Sequence, residues 1–139
     1  MRQIFVVVER SGDGLDESAL ELLTAARSLG DSTVSAVVMG ADAADLASEA
    51  ARWFDRVYLF DDPALAQPDG DLQSRVLAPL LDREKPFATL VPHTNTGLEL
   101  APMLSVRAGT PLIGDAMAIE SCAAGECEAG VECIRAVRA

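Results

Sequence analysis

Apolar residues in this chain fall into short unbroken runs, and between the runs they recur every three or four positions. Residues 3–8, 33–39, 56–60 and 87–91 are the unbroken runs, rich in valine, isoleucine and aromatics. Their length and β-branching predict buried strands. After the first run comes the loop Arg10-Ser11-Gly12-Asp13-Gly14, and then a helix capped by Asp16 or Ser18, with Ser18 and Glu21 in capping-box spacing. Leu20, Leu22, Leu23, Ala26 and Leu29 form its inward stripe, and Gly30 stops it. Asp42 opens a short alanine-rich helix through about Arg52. Residues 64–70 read as irregular, and Asp71 leads a helix through about Glu84 that turns Val76, Leu77, Leu80 and Leu81 inward. Pro79 predicts a kink or a break in it. A further helix runs from Thr96 to about Arg107, with Thr96 and Glu99 as its capping box.

This alternation predicts one α/β domain, a doubly wound parallel sheet flanked by helices and joined by right-handed crossovers. The tail differs. Residues 115–119 read as extended, and CAAGECEAG is small and turn-prone, so a C-terminal hairpin or an edge extension of the sheet is expected.

The chain has 139 residues, 50% hydrophobic but only 4% aromatic, which suits a single core of small and branched aliphatics. A net charge of −11 argues against nucleic acid or an anionic membrane as partner. No apolar run has the length of a membrane span, and Glu9-Arg10 interrupts the first run before any cleavage site, so a cytoplasmic, bacterial protein is expected. Cys122, Cys127 and Cys133 match no common metal or cluster spacing and read as thiols, with no metal expected.

Candidate chemistry concentrates where the fourth run ends. Pro92 closes the strand, and His93, Thr94, Asn95, Thr96 and Gly97 lead into a helix. Unpaired amides at such a helix start, at the carboxyl end of a parallel strand, suit an anionic group. The competing reading is a capped helix start with no ligand. His93, the only histidine, could act as a general base but more often such a residue positions a loop. There is no G-x-G-x-x-G, Walker A or G-x-S-x-G motif. Asp61-Asp62-Pro63 is explained by turn chemistry, and Trp53-Phe54 by core or interface packing.

Four segments in order resemble the N-terminal domain of the electron transfer flavoprotein alpha subunit. These are IFVVVERSGDGLDESALELLTAAR, VSAVVMG, FDRVYLFDDPAL and FATLVPHTNTGLELAPMLSVRAGTPLIGDAMAIE. The resemblance covers about residues 3–120 and implies an adenine nucleotide alpha-hydrolase-like fold, with residues 1–139 expected to form one domain. It implies a non-catalytic scaffold or docking domain, not an enzyme, in a heterodimer with a beta subunit that carries electrons from flavin dehydrogenases. Family alpha subunits hold FAD in a C-terminal domain whose flavin-binding motif does not occur here, so no cofactor is expected on this chain alone. AMP is expected, if anywhere, in the partner beta subunit. Residues 93–97 then become an edge that meets a partner or a partner's cofactor. The alternative is a stand-alone AMP- or ATP-binding module of universal-stress type.

Overall fold

A computed structural model of the chain describes residues 2–114, 116–121 and 134–138. The apolar runs become β1 (Arg2–Val7), then, after a small hairpin of β2 (Arg10–Ser11) and β3 (Gly14–Leu15), β4 (Ser32–Gly40), β5 (Arg56–Asp61) and β6 (Ala88–Leu90). The four long runs form one parallel sheet in the order β5-β4-β1-β6. The helices are α1 (Glu17–Arg27), α2 (Ala44–Ala50), α3 (Gly70–Glu84) and α4 (Asn95–Ala108).

Alternation along the strands sorts the core into two layers. Ile4, Val6, Val34, Ala36 and Val38 meet Ala19 and Leu23 of α1 and Leu46 of α2. Phe5, Val7 and Val37 face the other way, onto Leu77, Leu80 and Leu81 of α3 and Leu100 and Leu104 of α4. The expected doubly wound α/β class is therefore the observed one, with β1 and β4 buried on both faces.

Local signals were less exact than the periodicity. The cap of α1 is Asp16, whose carboxylate accepts from the Ser18 amide at 3.1 Å, and Ser18 forms no capping box. Leu20 lies on the outer side of α1 and is exposed, because the stripe through Ala19, Leu23 and Ala26 already fills the contact with the sheet. Asp42 does not open α2. It adopts a left-handed backbone, φ 51°, and the helix starts two residues later behind Ala43 without a side-chain cap. The loop after β1 is the β2–β3 hairpin, held to α2 by Arg10–Asp45 at 2.9 Å and by the Leu15 amide donating to Glu49 at 3.1 Å.

The segment read as irregular, 64–70, is entered by a short 3-10 turn, Pro63–Leu65, capped by Asp62, and Asp69 caps α3, which begins at Gly70 rather than Asp71. α3 runs unbroken through Pro79. That proline is exposed while Leu77, Leu80 and Leu81 are buried around it, so packing outweighs the single backbone bond a proline removes. Helices α3 and α4 approach closely at Gly70, where a β-carbon would lie 2.7 Å from the Leu100 amide nitrogen. Arg107 ties them further, donating to Ser74 at 2.9 Å and to Asp71 at 3.0 Å.

At the C-terminal end, β7 (Ala116–Ser121) and β8 (Ile134–Arg138) pair antiparallel in a two-stranded sheet of their own, so the tail is a hairpin and not an extension of the main sheet. The cysteines Cys122, Cys127 and Cys133 lie outside the described residues. No helix among the described residues is long and apolar enough to cross a membrane, and no acid, histidine or cysteine cluster there suits a metal.

Candidate functional site

The strand order reverses between β1 and β6, with the chain passing from β1 to β4 on one side and arriving at β6 on the other. In open α/β sheets the crevice beyond such a reversal, at the carboxyl ends of the strands, is the usual binding place. Its walls here are the residues following β1 and those leading from β6 into α4.

One hydroxyl closes it. Thr94 Oγ1 donates to Glu9 Oε2 at 3.0 Å, across 85 positions of sequence, and accepts from the Gly97 amide at 3.1 Å. Thr94 is therefore the cap of α4, with φ −121° and ψ 171°, and its carbonyl also accepts from the Leu98 amide at 2.7 Å. The Thr96–Glu99 capping box does not form. Glu99 Oε1 instead accepts from the Asp71 amide at 3.3 Å, serving the start of the neighbouring helix. The switch has a simple cause: Thr94 has the extended backbone that a cap requires, whereas Thr96 already lies inside the helix.

Behind Thr94 the chain turns tightly, its amide donating to the Pro92 carbonyl at 2.9 Å. That carbonyl lies directly beneath Gly97, so any β-carbon at position 97 would overlap its oxygen. Gly97 is thus needed for close packing of the turn. His93 and Asn95 are exposed, Thr96 is half-buried, and Gly97 is buried. The structure gathers all five residues around one helix start. Sequence reasoning missed Glu9, although an acid directly after an apolar strand was a readable signal.

Burial raises the Glu9 carboxyl above its ordinary value; the Thr94 bond pulls it down, and the nearby Asp16 charge pushes it up again. The helix start therefore already faces a carboxylate, and its Gly97 and Leu98 amides are held by Thr94. A phosphate seeking the Gly97 amide would have to displace the hydroxyl, and it would sit beside the Glu9 carboxylate. The arrangement suits a donor or a neutral surface better than an anion.

Comparison with known proteins decides the family. The model of the electron transfer flavoprotein domain matches residues 4–139. The chain belongs to the electron transfer flavoprotein family. It is 34% identical over 116 residues, 81% of this chain, to an electron transfer flavoprotein subunit alpha of Megasphaera elsdenii, covering 34% of that protein. A subunit alpha of Syntrophomonas wolfei is 29% identical over 121 residues, 86% of this chain and 38% of its own. The acryloyl-CoA reductase electron transfer subunit beta of Anaerotignum propionicum is 30% identical over 118 residues, 82% of this chain and 32% of its own. The chain thus spans about a third of the length of these curated relatives.

In this electron transfer flavoprotein domain the Glu9 latch has a measurable signature. Because the folded-state pKa is raised, the folded chain holds the Glu9 proton more tightly than the unfolded one. The associated stability is complete below the ordinary carboxylate range and is lost as pH rises through the raised value. Glu9→Gln keeps an acceptor for Thr94 without the charge. Its melting temperature should exceed the parent's by about 2 °C at neutral pH, and the difference should vanish below about pH 4. Equal melting curves at pH 7 would remove the argument that the latch is strained by burial.

Proposed function

We propose that this chain is an electron transfer flavoprotein alpha-type N-terminal domain spanning residues 1–139, a non-catalytic scaffold that docks the beta-type subunit. Its relatives are named as electron transfer subunits, and a subunit needs a face for its neighbour. The observation that carries the reading is the outer side of α4. Leu98, Pro102 and Val106 recur at four-residue spacing on one face of the helix, all exposed, with Val106 at 83%. Met103 flanks them, and the segment beyond the helix exposes Leu112 and Ile113. Apolar side chains scattered singly on a surface need no explanation, but a continuous helical stripe does.

In this reading FAD belongs to the remainder of a longer flavoprotein and AMP to the beta subunit. Residues His93, Thr94, Asn95, Thr96 and Gly97, at the root of the same helix, form an edge toward the partner. Electrons would pass from flavin dehydrogenases through the assembled heterodimer, in the cytoplasm of a bacterial cell. The universal-stress alternative, an AMP or ATP module, is disfavoured by the Glu9 carboxylate at the crevice.

Co-expression with an electron transfer flavoprotein beta subunit, followed by size-exclusion chromatography, tests the docking. A stable complex is expected, and Val106→Asp should weaken it by about tenfold or more while leaving the melting temperature unchanged, since the side chain is solvated. Retention of the complex by that variant, or no complex with the parent, would overturn the proposal. Calorimetry with AMP and ATP examines the alternative, for which high-micromolar binding to the parent chain would be the decisive support.

A further inference from the structure

Charge on this domain is segregated by the direction of the strands. The loops at the carboxyl ends carry Glu9, Asp13, Asp42, Asp61, Asp62 and Asp69. Among the described residues the cation of these loops is Arg10, and it is engaged by Asp45 at 2.9 Å. Arg2, Arg52, Arg56 and Lys85 lie at the opposite end of the sheet, with Asp31 and Asp55 among them.

Within the acidic end lies an apolar crevice of about 330 Å³ beyond the end of β5. Its floor is Phe60, Leu65, Leu72 and Val76, contributed by the strand, the 3-10 turn and the first turns of α3. Asp61 and Asp62 form its wall. Asp62 is held in place, its Oδ1 accepting from the Ala64 amide at 2.8 Å. Asp69, beside the floor, accepts from the Leu72 amide at 3.1 Å. Caps of this kind hold carboxylates at fixed places without neutralising them. An apolar floor under an acidic rim is complementary to an apolar side chain flanked by cations.

We propose that this crevice docks a polypeptide segment of a partner protein in which a leucine-like side chain is flanked by arginine or lysine. Burial of the apolar side chain supplies affinity, and the surrounding carboxylates select basic flanks and speed encounter. The surface is separate from the stripe on α4, and the inference stands whether or not that stripe meets the beta subunit.

A fluorescein-labelled Gly-Arg-Lys-Leu-Arg-Lys-Gly peptide titrated with the protein at low salt tests it by polarisation. Saturable binding is expected, weakened by about tenfold when the central leucine becomes glycine. It should also fall as salt rises toward physiological strength. Asp61→Asn, on an exposed side chain, should weaken it by about threefold, while Asp31→Asn at the far end should not change it. Val106→Asp should leave it intact, so loss of the subunit dock and loss of the crevice are read separately. Amide shifts on titration should centre on residues 60–65, 72 and 76. Equal affinity for the glycine peptide, equal losses from Asp31→Asn and Asp61→Asn, shifts centred elsewhere, or no binding at millimolar peptide would each overturn the proposal.

Discussion

Alanine at position 97 is expected to cost the fold about 3–4 kcal/mol, seen as a shift of the urea midpoint or as loss of soluble protein. On propensity alone the change should help, since alanine is favoured over glycine in a helix by about 1 kcal/mol. The steric term opposes it and is larger. The added methyl would overlap the Pro92 carbonyl oxygen and lie 3.2 Å from Thr94 Oγ1. That carbonyl already accepts from the Thr94 amide, so it cannot retreat without undoing the turn that sets the cap. Thr94 would lose its hold on Glu9 in the same movement. Gly109→Ala is the matching control. Gly109 has φ 67° with nothing within 4 Å of a built β-carbon, so its loss should be confined to backbone strain of about 1 kcal/mol. An unchanged midpoint for Gly97→Ala would mean that the turn is looser than described.

Gly70→Ala should be the next most damaging change, at about 2–3 kcal/mol. Its methyl would meet the Leu100 amide nitrogen at 2.7 Å and the Glu99 β-carbon at 2.8 Å. Neither is the far end of a flexible side chain, so relief requires α3 and α4 to separate. Separation would stretch the Glu99–Asp71 and Arg107–Ser74 bonds and loosen Leu77, Leu80, Leu100 and Leu104 in the layer below. A melting temperature lowered by less than about 2 °C would show that the helix pair tolerates a wider spacing.

The two glycines also show where sequence reading reaches its limit. Periodicity placed the four strands of the sheet and the inward stripe of α3, because those features are repeated along a segment and each position supports the next. The doubly wound class follows from that pattern, whereas the order β5-β4-β1-β6 is set by which strands pair and is not written in it. Caps depend on one backbone angle apiece. Ser18, Asp42 and Thr96 all carried acceptable capping chemistry, and in each case a neighbour or another geometry prevailed. The five candidate residues were legible as a group because they interrupt an apolar run. Their tie to Glu9 was not, since it joins residues 85 apart through one hydroxyl. Gly97 was read as a possible ligand contact, whereas its surroundings explain it by backbone packing. Nothing in a string of letters records how near one carbonyl passes to another segment.

The place of β1 between β4 and β6 has a consequence for the order of assembly. Ile4 lies opposite Val34 on one side and Ala88 on the other. The first pairing closes a short loop through α1; the second must wait for most of the chain, and closure entropy grows with the length enclosed. Pairing of β1 with β4 is therefore favoured ahead of its pairing with β6. The later of these two seams is the one Thr94 fastens to Glu9, and the helix it brings in bears the apolar stripe. Any protein that covers that stripe would slow the opening of the seam, so assembly and completion of the fold become a single protected state against proteolysis.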